Sequence, residues 1–368
     1  MKNVLVLFGG KSSEHDISLI TANLCLNAID EEEYKIFPIL VNKNNEWFYV
    51  KNFKNNIMGE FKKEKVFLNF GSNVLYLKKG LICKKLVDVD CAILCHHGLN
   101  GEDGTIQSVL KLCNIPFSSS GVLESAITMD KVIMKQLLKS NNFNVVNYYN
   151  FNKTEFKENN INIIKEISTK LGFPVIIKPA NLGSSIGINI AKNKKELYDA
   201  INIALEFDNK ILVEEAKTNF KEINCACLGV NNDILVSSLE EPINWKNFLT
   251  FKDKYENSNV KIKNKIYPAK VNKDIEKKIK ETTKNIFKTF NLSGVVRIDY
   301  ILTENDIFVN EINSIPGSLA YYLFEKEGLT FSDVINKLIK CAEVKFNEEQ
   351  NLTYAYESNV LNQKNINK

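Results

Sequence analysis

The chain has 368 residues, a mass of 42.0 kDa and a net charge of +4, with 44% apolar and 25% charged residues. That is a globular composition for about two to three domains, and it excludes fibrous and disordered classes. Lysine is interleaved with acids and asparagine, so no basic block marks a nucleic-acid binder. No apolar run approaches the roughly 20 residues of a membrane helix.

Residues 4–8 form an apolar strand that runs into Gly9-Gly10-Lys11-Ser12-Ser13. The run is too short for a secretory leader, so a cytosolic strand is expected. Helical periodicity covers residues 17–29 and residues 34–40 read as the next strand, a βαβ start. Residues 42–86 are rich in Asn and Lys, with strand-like pieces whose order the pattern does not set. Residues 87–95 read as a third strand ending at His96-His97-Gly98, residues 105–112 as a helix and 115–117 as a short strand. Residues 1–119 therefore read as a small doubly wound, Rossmann-like domain, with ligand-binding loops expected after Phe8 and Cys95.

The eight cysteines contain no CxxC pair and read as buried thiols. Cys91, Cys95, His96 and His97 are metal-type donors. Their spacing matches no usual zinc pattern, and Val89, Cys91, Ile93 and Cys95 alternate along one strand face. Gly10-Lys11-Ser12 fails as a P-loop because Leu5 stands where the pattern needs glycine, and no GxGxxG follows the first strand.

Residues 122–139 read as one amphipathic helix. Strands at 173–179 and 187–191 flank Asn181-Leu182-Gly183-Ser184-Ser185, followed by a helix at 196–205 and a strand at 211–213, which makes 120–213 an α+β unit. From 214 to 347 the pattern is mostly strand-like, with helices near 274–290 and 331–342. Residues 348–368 read as a polar tail.

Two signals carry chemistry. Strand-like residues 295–302 and 307–313 flank the turn Thr303-Glu304-Asn305-Asp306, a hairpin. Period two puts Arg297 and Asp299 on one face, and Glu311 with Asn313, and folding about the turn brings Asp299 within one position of Glu311. Two carboxylates and an amide suit Mg²⁺, with Arg297 placed beside developing negative charge. The second signal is an apolar strand ending in Lys178, followed by the glycine- and serine-rich turn. Free backbone N–H groups there can cradle phosphate.

With these blocks in order, the chain resembles the D-alanine–D-alanine ligases of the ATP-grasp superfamily. The resemblance rests on residues 4–18 through Gly9-Gly10-Lys11-Ser12-Ser13-Glu14-His15-Asp16, on His97-Gly98 with Gly101-Glu102-Asp103-Gly104, and on Ser125 with Met129-Asp130-Lys131. It rests further on Lys178 to Gly187, on Gly294 with Arg297 and Asp299, and on Asn310-Glu311-Ile312-Asn313 with Pro316-Gly317. It implies a two-part ATP-grasp fold after the first domain. The implied reaction joins two D-alanines with ATP through an acyl phosphate, for peptidoglycan precursors.

The resemblance also implies roles. Lys131 and Lys178 would hold ATP phosphates, and Ser184 and Ser185 would close over them. Glu214, Glu215, Ala216 and Lys217 would form the adenine hinge, and Glu222 would bind ribose at a spacing one residue longer than the family's. Asp299, Glu311 and Asn313 would bind two Mg²⁺, or Mn²⁺. Glu14 would anchor the first substrate's ammonium, Ser18 would also bind substrate, and His97, supported by Glu102, would lie near its carboxylate. In a lid over 244–264, Lys254 would contact phosphate or substrate carboxylate and Tyr255 would link to Ser184 and Glu14. Arg297 and the Gly317 N–H would form the oxyanion hole.

One departure stands out. The segment after Gly317 is about four residues shorter than in the family, and Ser318 would have to hold the second carboxylate. A ligase using a different second D-amino acid or amine is the alternative reading. The resemblance further implies a cytoplasmic homodimer that engages neither nucleic acid nor membrane.

Overall fold

The computed structural model describes residues 1–57, 61–243 and 265–355. The chain starts with β1 (Lys2–Gly9), α1 (His15–Ala28) and β2 (Tyr34–Val41), and β1 and β2 are parallel. It then reverses at once, because the Asn42 side chain accepts from the N–H groups of Asn44 and Glu46, both at 2.9 Å. A reversal this tight permits only antiparallel neighbours. Residues 42–88 accordingly form a meander of β3 (Trp47–Lys51), β4 (Lys62–Leu68), β5 (Val74–Lys79) and β6 (Ile82–Asp88).

The strand expected at 87–95 is two. Asp88 and Asp90 turn the chain, with Asn3 donating to the Asp88 carbonyl and the Asp90 carboxylate. β7 (Cys91–Leu94) then runs parallel to β1. The sheet order is β6-β5-β4-β3-β2-β1-β7, so a doubly wound core of three parallel strands carries an antiparallel extension. The strand expected at 115–117 is reduced to one bridge, between Ala92 and Phe117.

α2 (Thr105–Leu112) follows. The single helix expected over 122–139 is α3 (Val122–Met129) and α4 (Lys131–Ser140). Asp130 separates them, leaving the helical conformation so that its carboxylate accepts from the N–H groups of Val132 and Ile133. This cap makes Lys131 the first residue of α4.

No element was expected between 140 and 172, yet the structure places β8 (Tyr148–Asn152) and α5 (Lys153–Lys170) there. Asn152 and Glu155 form a capping box, and Phe156, Ile163, Ile164 and Ile167 supply the buried face. With β9 (Val175–Pro179), β10 (Asn189–Ala191), α6 (Lys194–Ala204) and β11 (Lys210–Glu215) they build an antiparallel sheet of order β10-β9-β11-β8 with its own core. The division expected after residue 213 falls inside β11.

The third sheet takes β12 (Lys221–Val230) and β13 (Asp233–Val236), a ribbon of β14 (Glu241–Pro242) with β15 (Lys265–Ile266) lies beside it, and α7 (Lys273–Thr289) leads into β16 (Gly294–Leu302) and β17 (Ile307–Asn313). Its order is β13-β12-β16-β17. A 3₁₀ segment, Gly317–Glu327, leads to α8 (Phe331–Gln350), longer than the expected 331–342. α8 does not pack on the third sheet alone. Its Val334, Ile335, Leu338 and Ile339 belong to the core of β1, β2 and β7.

Candidate active site

Three elements bring the phosphate-type lysines together. β9 carries Lys178 as its penultimate residue, α4 starts with Lys131, and β11 carries Glu214 between them. Lys178 Nζ lies 2.5 Å from Glu214 Oε2 and Lys135 Nζ lies 2.6 Å from Glu214 Oε1. Burial acts to raise the Glu214 carboxyl, but the two ammonium groups hold it down at about 2. Burial likewise draws Lys178 down, and there Glu214 wins and raises it; at Lys135 burial wins and lowers it.

Lys131 Nζ donates to the Leu182 carbonyl at 2.6 Å. This ties α4 to the 180–188 loop, where Ser184 and Ser185 stand in left-handed conformations, φ 51° and 60°. Glu214 is therefore an ion-pair node, with its side chain turned to lysines. In the rest of the expected hinge, Glu215 accepts from Asn147 at 3.0 Å and pairs with Lys217, the Ala216 N–H donates to Pro174, and Lys217 lies 4.9 Å above the Phe308 ring. Sequence reasoning missed Lys135. A lysine in an amphipathic helix reads as a surface residue, and its partner is 79 positions away in the sequence.

The acidic hairpin faces this cluster. Asp299 pairs directly with Glu311, and Arg297 with Asn313. The register then slips, so that Tyr300 opposes Val309 and Asn310 is the extra residue. The Asn310 carbonyl oxygen of the side chain accepts from Lys178 Nζ at 3.2 Å. Lys131 Nζ lies 4.0 Å from Glu311 Oε2. Arg297 donates to both Asp299 oxygens, Nε at 2.7 Å and Nη2 at 2.8 Å, and Asn313 Nδ2 donates to Asp299 Oδ2 at 3.1 Å.

Burial raises Asp299 to about 6, Arg297 opposing and the adjacent Glu311 reinforcing the shift. Two carboxylates forced together beside an amide are a hard-oxygen donor set with excess negative charge, which a divalent cation fits. Among the described residues no group of three His, Cys, Asp or Glu is poised for a metal, because the third donor here is Asn313. Cys91, Cys95, His96 and His97 form no metal cluster either. On the neighbouring strand Asn224 pairs with Asp299, and Glu222, two residues away, lies on the same face.

The third wall comes from the first sheet. Glu14 stands at the N-cap of α1 but makes no side-chain cap. Its carboxylate accepts from Ser184 instead, joining the first domain to the phosphate loop. Gly98 and Gly183 give it room, since a Cβ on either would stand 2.4 Å or 2.8 Å from Glu14 Oε2. Ser18 accepts from Gly9 N–H and donates to the Cys95 carbonyl, both at 2.7 Å, so its hydroxyl ties the end of β1 to the segment just after β7.

His97 is buried and held neutral, its pKa lowered to about 4 by burial. Nδ1 lies 2.9 Å from the Ile315 carbonyl and Nε2 lies 2.8 Å from Thr21 Oγ1. Thr21 also accepts from the Ser318 N–H at 3.1 Å. Glu102 was expected to support His97. It accepts instead from Gly98 N–H at 2.8 Å and Ile315 N–H at 3.2 Å, and burial, then the Glu14 charge, raises it to about 8. Thr21, Glu102 and His97 thus fix the 315–318 segment that carries Gly317. Ser318, Leu319 and Ala320 are all left-handed, φ 52°, 50° and 46°. Each such non-glycine residue costs roughly 1–2 kcal/mol. Lys254 and Tyr255, with the expected lid, lie outside the described residues.

Comparison with known proteins bears on this arrangement. The family model of the D-ala D-ala ligase N-terminus matches residues 3–120, and that of the D-ala D-ala ligase C-terminus matches 137–340. A D-alanine–D-alanine ligase of Thermosipho melanesiensis is 42% identical over 95% of this chain and 96% of its own length. One from Staphylococcus epidermidis is 35% identical over 96% and 98%. Among solved structures, the VanG D-Ala:D-Ser ligase of Enterococcus faecalis has a TM-score of 0.80 at 30% identity, covering 93% of this chain and 99% of that one. The lysine cluster, the acidic hairpin and the Glu14–Ser184 link are thus built on a chain that matches the models of both halves of one family, and the chain belongs to the D-alanine–D-alanine ligase family.

Proposed function

We propose that this ligase condenses two D-alanines at the junction of the three walls, with ATP driving the reaction through an acyl phosphate. One observation carries the reading. The lysine cluster and the carboxylate pair converge, with Lys131 Nζ 4.0 Å from Glu311 and Lys178 Nζ 3.2 Å from Asn310. A polyphosphate fits between a cationic and an acidic wall only if a divalent cation joins it to the acids.

Lys131 and Lys178 bind the phosphates, Ser184 and Ser185 border them, and Glu215, Ala216, Lys217 and Glu222 flank the nucleoside. Asp299, Glu311 and Asn313 hold Mg²⁺, or Mn²⁺, which when bound offsets charge on the transferring phosphoryl group. Glu14 takes the ammonium of the first D-alanine and keeps its carboxylate aligned with the phosphate. Arg297 and the Gly317 N–H stabilise the oxyanion formed when the second amine attacks the acyl carbon; one such donor supplies about 3–4 kcal/mol in acyl transfer. His97 and Glu102 act by holding Gly317 in place. Ser318 receives the second carboxylate. The enzyme works in the cytoplasm, as a homodimer, on soluble peptidoglycan precursors.

A second reading keeps the chemistry and changes only the acceptor, to another D-amino acid, because the segment after Gly317 that carries Ser318 is short. The test is phosphate release with ATP, Mg²⁺ and D-alanine, with the product weighed by mass spectrometry. D-Alanyl-D-alanine is expected. Release that appears only when D-serine or another amine accompanies D-alanine would move the function to the second reading.

A further inference from the structure

Lys135 takes no part in the reaction as described, yet it is a fully buried cation in the site. It is 0% exposed, so it presents no surface to the site. α4 sets it one turn after Lys131, on the same helix face. Its partner is Glu214 at 2.6 Å, whose other oxygen is 2.5 Å from Lys178. A buried lysine paired this way gives little stability over an apolar side chain of similar length. Stability alone therefore does not account for the charge.

We propose that Lys135 is a positioning residue for the nucleotide: by taking one oxygen of Glu214 it prevents that carboxylate from neutralising Lys178, which then presents positive charge to the phosphates. The inference rests on Lys178 being a phosphate ligand. The surroundings support it. Besides Glu214, Glu311 and Glu222 also act on Lys178, and Lys178 opposes Lys135 across the shared carboxylate. Without Lys135, Glu214, already 2.5 Å from Lys178, serves that lysine alone, and an incoming phosphate has to compete with an unshared carboxylate.

The test compares Lys135→Met, Lys135→Arg and Lys135→Met/Glu214→Gln. ADP and adenosine affinities are measured by calorimetry without metal, and the KM for ATP and kcat in steady state. A charge role predicts that Lys135→Met weakens ADP by about tenfold or more, leaves adenosine unchanged, and raises KM more than it lowers kcat. Lys135→Arg stays near wild type. The double variant binds ADP as Glu214→Gln does, because no unshared carboxylate is left to compete.

A folded Lys135→Met enzyme that binds ADP normally, or loses ADP and adenosine equally, overturns the proposal. If Lys135→Met does not fold, the double variant decides, since it lacks both buried charges; ADP binding weaker than in Glu214→Gln overturns the proposal. Absence of D-alanine-dependent phosphate release in the wild type would defeat the functional reading instead, and leaves the ADP comparison readable.

Discussion

Two ionic clusters meet in this protein, one buried and one half-buried, and they are unbalanced in opposite senses. On α4, β9 and β11, Lys135 and Lys178 share the single carboxylate of Glu214, with Lys131 alongside. On β16 and β17, Asp299 and Glu311 stand opposite each other with Arg297 committed to Asp299. A cluster that only stabilised the fold would balance its charges internally, since burying a surplus ion costs several kcal/mol. Each imbalance therefore points to a ligand of opposite sign, phosphate for the first and a divalent cation for the second.

Removing an acid should have opposite consequences in the two clusters. Glu311→Gln is expected to lower Mg²⁺-dependent turnover on the order of 10³-fold. It should also leave the ligand-free protein within about 1 kcal/mol of wild type, because it relieves a like-charge contact. Phosphate release and urea unfolding read the two effects; full activity would remove the metal site. Glu214→Gln takes an anion from the cationic cluster and leaves two buried lysines underpaired, so a loss of about 3 kcal/mol is expected. A loss as small as that of Glu311→Gln would erase the distinction between the clusters.

A control lies outside both clusters. Burial lowers His96 to about 3 and His97 to about 4. Both folded values lie below the unfolded one, so between about pH 6.5 and 4 the unfolded chain binds more protons at these two groups and their contribution to stability falls as pH falls, while Glu102 and Asp299, raised by burial, work in the opposite sense. At pH 5 each imidazole is expected to cost about 2 kcal/mol relative to pH 7.5. His96 Nδ1 is buried without a hydrogen-bond partner, so His96→Leu should remove one of these two costs and make the variant relatively more stable at pH 5 than wild type by about 2 kcal/mol, read from urea midpoints at both pH values. Equal acid sensitivity in variant and wild type would place the effect in the clusters. The smallest effect belongs to Asn310→Ala, which removes one long hydrogen bond from the Lys178 ammonium to a neutral amide without altering any charge, and should change the KM for ATP about fivefold at most.

The acidic hairpin was readable from the sequence because its chemistry is local. Period two and a four-residue turn put Asp299 beside Glu311, and only the bulge at Asn310 was hidden. Lys178 was readable because a charge ends an apolar strand. Residues whose meaning comes from distant partners were not. Lys135 and Thr21 look like ordinary helix positions until Glu214 and His97 meet them. The same holds for larger elements. Asp130 looks like a mid-helix acid, and its role as a cap emerges only from its backbone geometry. The meander over 42–88 lacked signals strong enough to rank its short strands, although Asn42 and Asn45 mark its first reversal.

The core shared by β1, β7 and α8 has a consequence for how the protein is made. Residues near the start of the chain complete their packing only against Val334, Ile335 and Leu338, close to its end. On the ribosome the first sheet must wait, half-covered, while the middle sheet, which has a core of its own, can close as soon as it emerges. A chain ended after residue 330 is therefore expected to protect the amides of β8 to β11 from hydrogen exchange while leaving those of β1 and β7 open. Protection of β1 and β7 in that truncated chain would show that the first sheet needs no partner from the far end.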